Sequence, residues 1–280
     1  MIRTLRRLTV AACIAGAMAC PAYVRSADEA APEPTGPALT KEELAGAVKS
    51  DLLTIPTPGE LLAAIDKLGK PDWASAIRPP IQTSFSSRAQ MAINIGGLIA
   101  DGYIAVEASS AQQVKNVGKD IRLVATGLGV EREIIKRGDS LTDFADNGKW
   151  DTLKEEFEAT QNEVKTAMRD KMKDADLITL VTLGGWIRGI DAMSDYIAKH
   201  YTEDAAKLLR QPGIIRYLNE SLSALPEKVR DDASVRKARA GLSNMEKALS
   251  FPPDSAPSQE AVAQLEEISS NLLKDLAKKK

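Results

Sequence analysis

The stretch MAINIGGLIADGYIAV, Met91–Val106, has Asn94 and Asp101 as its clearly polar side chains, together with the hydroxyl of Tyr103. No period-two alternation runs through it, and its length suits a helix better than a strand. A helix that is apolar on nearly every face is buried in a core or in a membrane. A second stretch of the same kind, LITLVTLGGWIRGI, Leu177–Ile190, has Thr179, Thr182 and Arg188 as its polar members. Each run is shorter than the roughly 20 residues of a bilayer span and each holds a charge, so both read as core helices. Their expected bounds are about 86–107 and 175–199.

Both runs carry glycines: Gly96, Gly97 and Gly102 in the first, Gly184, Gly185 and Gly189 in the second. A glycine inside a helix costs about 0.5–1 kcal/mol relative to Ala. Close approach of two helix backbones is the simplest compensation. Asp101 follows Gly97 by four residues and Arg188 follows Gly184 by four, so each charge shares a face with a glycine. The expectation is that the two helices pack on their glycine faces and that Asp101 pairs with Arg188, with Asp191 as a competing partner. An unpaired buried ion is too costly for either to stand alone. A functional variant places Asn94, Asp101, Tyr103, Trp186 and Arg188 around one polar pocket, offering an anion site, a stacking ring and an acid. A structural ion pair accounts for the same residues without a ligand.

The remaining sequence reads as further helices. Thr40–Glu43 and Thr57–Glu60 are capping boxes, the second with Pro58 at the first helical position. The helix after Thr57 is expected to run through Leu68 and stop at Gly69. Pro79-Pro80 is a break. Helices are then expected over 110–127, 130–137, 140–146 and 150–171. After Asp174 as a cap and the 175–199 run, Thr202 starts a short one, followed by 212–224 and 234–249. Residues 251–257 form a Pro-rich linker, and 258–280 a single amphipathic helix with Leu265, Ile268, Leu272 and Leu276 on one face. The fold class is therefore all-α: a globular bundle of roughly ten helices around two central glycine-containing ones, spanning about 40–250 with the last helix beyond it.

The N-terminus has the pattern of an export signal. Arg3, Arg6 and Arg7 precede a short apolar run, Leu8–Ala19, and small residues follow, so residues 1–27 read as a signal peptide. A polar, Pro-rich linker covers 28–39. The two cysteines, Cys13 and Cys20, both lie in the leader. Cleavage between Ala19 and Ala27 leaves no disulfide, no thiolate metal ligand and no cysteine nucleophile beyond an N-terminal Cys20. Ala17-Met18-Ala19-Cys20 is a poor lipoprotein signal, so a lipid anchor at Cys20 is the lesser reading. The whole chain carries 37 basic and 39 acidic residues. The leader holds four of the basic ones and no acid, so the mature chain is about −6. That sign disfavours nucleic acid and anionic membranes as partners.

Motifs that carry chemistry are missing. The single histidine, His200, sits at an expected helix end and cannot build a multi-histidine metal site. No Gly-x-Ser-x-Gly elbow, phosphate-binding loop, dinucleotide fingerprint or calcium loop is present. Asn219-Glu220-Ser221 is a glycosylation triplet inside an expected helix and is discounted. The acids Glu155, Glu156 and Glu158 read as a solvated helix face. These residues point to no cofactor, no metal and no catalytic group. They suggest a periplasmic or secreted protein that acts by binding, as a scaffold or interaction module with a protein partner and no membrane span of its own. The alternative is a small-molecule binder or enzyme with an interhelical pocket around Asp101 and Arg188.

Overall fold

The computed structural model describes residues 55–130, 140–170, 174–252 and 255–278, all within the unit Leu39–Lys280. The leader, the 28–39 linker, the Thr40 capping box and the helix expected at 130–137 lie outside the described residues, apart from Val130. Among the described residues there are ten bounded helices and no strand. They are α1 (Pro58–Asp66), α2 (Arg88–Glu107), α3 (Ala111–Leu128), α4 (Trp150–Asp170), α5 (Ala175–Lys199), α6 (Glu203–Lys207), α7 (Pro212–Ala224), α8 (Glu227–Arg230), α9 (Ala233–Ala248) and α10 (Gln259–Ala277). Residues 140–146 are also helical.

The protein is an all-α bundle with α2 and α5 at its centre. α5 touches α1, α2, α4, α7 and α10, while α3 packs on the other side of α2. α2 is long and apolar enough to cross a membrane, contrary to the length argument above, but 89% of its apolar window is buried by the other helices. Burial, not length, makes it a core helix. The flanking helices are amphipathic and present stripes to these two: Val114, Ile121, Val124 and Leu128 from α3, and Leu153, Phe157, Val164 and Met168 from α4.

α2 and α5 cross where glycine removes the side chains. A Cβ at Gly96 would lie 2.0 Å from the Val181 carbonyl oxygen, and one at Gly184 1.8 Å from that of Ile93. Gly185 completes the contact, 3.4 Å from the Gly96 carbonyl oxygen by the same measure. The other glycines serve other neighbours. Gly102 makes room for the Phe157 ring of α4, and Gly189 for Leu61 of α1. Gly97 faces Arg78 at an ordinary contact distance.

Several helix ends differ from expectation. α1 stops at Asp66, where Trp73 Nε1 donates to the Asp66 carboxylate at 3.0 Å and the chain turns away. Leu68 is consequently exposed, and Gly69 is a close approach to the Tyr196 hydroxyl, not a helix stop. α3 ends one residue later than expected, with Gly129 at φ +81° as its left-handed cap. Asp174 precedes α5 without a capping hydrogen bond and instead meets Arg88 at 3.5 Å. The short α8 after Pro226 was not anticipated. Thr57 and Thr202 do cap α1 and α6.

The last helix packs back on the bundle, against α5 and α9. Its C-terminal carbonyls, which no helix can satisfy internally, receive amide donors from elsewhere. Asn94 Nδ2 and Gln90 Nε2 reach Leu276 O at 3.0 and 2.9 Å, and Gln82 Nε2 reaches Ala277 O at 2.6 Å.

Candidate functional site

Asp101 and Arg188 each sit one turn beyond the glycine crossing, on helices whose backbones nearly touch there. Their side chains meet inside the bundle: Arg188 Nε donates to Asp101 Oδ1 at 2.7 Å. The other two guanidinium nitrogens of Arg188 are engaged as well. Nη1 goes to Asp191 Oδ2 at 2.8 Å and Nη2 to the Ala76 carbonyl at 2.6 Å. The second oxygen of Asp101 accepts from Arg78, with Nε at 2.7 Å and Nη2 at 2.6 Å. Ser269 of α10 reaches Asp191 Oδ1 at 3.3 Å.

The result is an alternating chain, Arg78–Asp101–Arg188–Asp191, of zero net charge. It grows more exposed toward its ends: side-chain exposure is 3% at Arg188, 10% at Asp101, 16% at Asp191 and 19% at Arg78. Burial works to lower the Arg188 guanidinium, but Asp101 and Asp191 outweigh it and hold it above its ordinary value. Burial pushes the Asp191 carboxyl up, against the pull of Arg188 and Arg78. The network ties four distant parts of the chain together: the connecting segment at 76–78, α2, α5 and α10.

Arg78 escaped the sequence reading, because Pro79-Pro80 marked its surroundings as a break between helices. Asp191 is a second partner of Arg188, not a replacement for Asp101.

The five residues grouped into one pocket by sequence do not share one. Asn94 turns to the C-terminus of α10, also donating to the Gln90 carbonyl at 2.9 Å. Trp186 Nε1 donates to Gln211 Oε1 at 3.0 Å. Tyr103 packs on Phe157, ring centres 5.9 Å apart, and lies beside Gly59 of α1. Burial, with Glu158 and Glu60 nearby, pushes its phenol far above the ordinary value. Asn94 and Asp101 share a face of α2 but lie two turns apart along it, about 10 Å at 1.5 Å per residue, and Tyr103 leaves a different face, so the three meet different neighbours.

Beside the network, a cleft of about 30 Å³ is lined by Arg78, Pro79, Pro80, Asp101, Asn116 and Asp120, among others. That admits a water or two, not a metabolite. Burial raises the Asp120 carboxyl at its edge, opposed by Lys119. A larger, open hollow of about 440 Å³ lies on the surface, where Arg216, Asn219, Glu220 and Ser223 of α7 face Glu246 of α9. Among the described residues, no group of three or more His, Cys, Asp or Glu side chains could hold a metal ion. His200, at the end of α5, stacks on Tyr196 with ring centres 4.7 Å apart. Comparison with protein-family models, curated proteins and solved structures found no match.

Proposed function

We propose that the chain is a non-catalytic binding or scaffold protein of the cell envelope, exported by the leader at residues 1–27 and acting through its surface on a protein partner. The observation that supports this reading is the engagement of Arg188 within the fold. Each of its guanidinium nitrogens is engaged within the fold, and its side chain is 3% exposed. A ligand anion at Arg188 would have to displace Asp101 or Asp191 and leave a carboxylate buried without its partner, at a cost of several kcal/mol. The strongest candidate for small-molecule chemistry is thereby committed to holding helices together.

The test combines location with binding. Cells producing the native chain are fractionated, the mature N-terminus is sequenced, and partners are captured by cross-linking in intact cells. The expected result is an envelope or secreted protein that starts between Ala19 and Ala27 and cross-links to a protein. A cytoplasmic chain still beginning at Met1 would overturn the reading. So would a metabolite that raises the melting temperature of the pure protein, as a ligand selective for the folded state does. The second outcome would restore the pocket alternative.

A further inference from the structure

The last turn of α3 meets the first turns of α2 through two side chains. Arg88 Nη1 donates to the Leu128 carbonyl oxygen at 3.2 Å. Met91, three residues further along the same side of α2, lays its thioether against Gly127. A Cβ at Gly127 would lie 3.0 Å from Met91 Sδ and 3.4 Å from its Cε, so the sulfur and its methyl fill the space left by the missing side chain. Beyond Gly127 the helix closes: Gly129 N–H donates to the Thr126 carbonyl at 3.1 Å and Val130 N–H to that of Ala125 at 3.0 Å.

Met91 differs from the other methionines among the described residues. Met168, Met193 and Met245 are 0%, 1% and 0% exposed, whereas Met91 is half-buried and meets solvent. Gly127, which it covers, is itself exposed. A flexible, apolar thioether suits such a gap. It is also a group that peroxides oxidise, and access decides which thioether reacts first.

We propose that Met91 is a site of reversible oxidation by peroxide, and that its sulfoxide releases the end of α3 from α2. The sulfur lone pair attacks one oxygen of hydrogen peroxide; an S–O bond forms as the O–O bond breaks. The sulfur gives up two electrons, and the other oxygen leaves as water with both protons. The product carries a polar oxygen where a thioether lay against backbone. Gly127 has no donor for it, because its N–H lies within α3 and points along the helix. A polar oxygen left without a donor is costly, so it turns to water and draws the side chain off Gly127.

The folded full chain is treated with a limited amount of hydrogen peroxide, and the oxidised methionines are located by peptide mass spectrometry. The Met91 sulfoxide is expected to form several-fold faster than those of Met168, Met193 and Met245. Amide exchange at 127–130, taken relative to α5, should quicken several-fold as Met91 oxidises. It should slow again after treatment with reductases for both sulfoxide epimers. Met91→Leu conserves volume, and peroxide should leave its exchange at 127–130 unchanged. Equally fast oxidation of the buried methionines would overturn the proposal, as would a Met91 sulfoxide whose α3 end exchanges as slowly as before. So would a peroxide response that persists in Met91→Leu, because it would belong to another residue. If the variant does not fold, the singly oxidised native protein, purified and mapped to Met91, gives the same reading.

Discussion

A methyl carbon at Gly184 would stand 1.8 Å from the carbonyl oxygen of Ile93. No rotamer change can relieve that contact, because the atom it meets belongs to the backbone of α2. Gly184→Ala must separate the two central helices, and overpacking of this kind costs about 1–3 kcal/mol or more. Gly118, inside α3, has nothing within 4 Å of where a Cβ would be. Gly118→Ala should stabilise by about 0.5–1 kcal/mol through helix propensity alone. Urea unfolding of the two variants should move the midpoint in opposite directions. Equal effects would show that the crossing is looser than described.

Asp101 answers two guanidinium groups at once, so Asp101→Asn leaves Arg78 and Arg188 with Asp191 as the network's one remaining anion. Breaking a buried ion pair by removing one partner costs about 3–5 kcal/mol. Arg78→Ala should cost less, because it leaves Asp101 paired with Arg188, and the Arg78 side chain is 19% exposed against 10% for Asp101. Denaturant midpoints should rank Asp101→Asn well below Arg78→Ala. The reverse ranking would place the weight of the network at its outer end.

The amide of Asn94 bonds a carbonyl at the end of α10, far away in sequence but adjacent in space. Asn94→Leu removes that donor and leaves Gln90 to serve Leu276 O alone. A buried acceptor left short costs about 1–3 kcal/mol. The end of α10 should fray first, so limited proteolysis should release C-terminal fragments faster from the variant than from the native chain. An unchanged cleavage pattern would mean that Gln90 is sufficient.

Tyr103 is held protonated by burial and by the nearby Glu158 and Glu60. A phenol raised in the fold contributes stability that is present below the ordinary tyrosine value of about 10 and is lost as pH rises beyond it. Tyr103→Phe should therefore be less sensitive to alkali than the native chain. The ultraviolet titration of tyrosinate should also lose its last step, the one that coincides with unfolding. If the native protein shows no such late step, Tyr103 is more open to water than its packing implies.

Much of the architecture was readable along the chain. Two apolar runs with no alternating pattern imply central helices, and the capping threonines Thr57 and Thr202 mark helix starts through bonds made within four residues. Such features are local, and local geometry follows from local sequence. The spacing of Asp101 from Gly97 and of Arg188 from Gly184 likewise expresses helical periodicity. Gly102 shows where this reasoning stops. Its glycine character is evident in the sequence, but that its neighbour is Phe157 depends on where α4 docks.

Contacts between distant segments were decided by the packing alone. Nothing near Arg78 in sequence announces that its guanidinium reaches Asp101, or that the carbonyl of Ala76 is the third partner of Arg188. Nothing near Asn94 announces the end of α10. Each arises because burying the apolar faces of α2, α5 and α10 brings polar groups into a space without water, where every donor must find an acceptor. Composition and periodicity dictate which helices form and which faces seek cover. Which polar atoms then meet is settled by the three-dimensional arrangement that satisfies all of those faces at once.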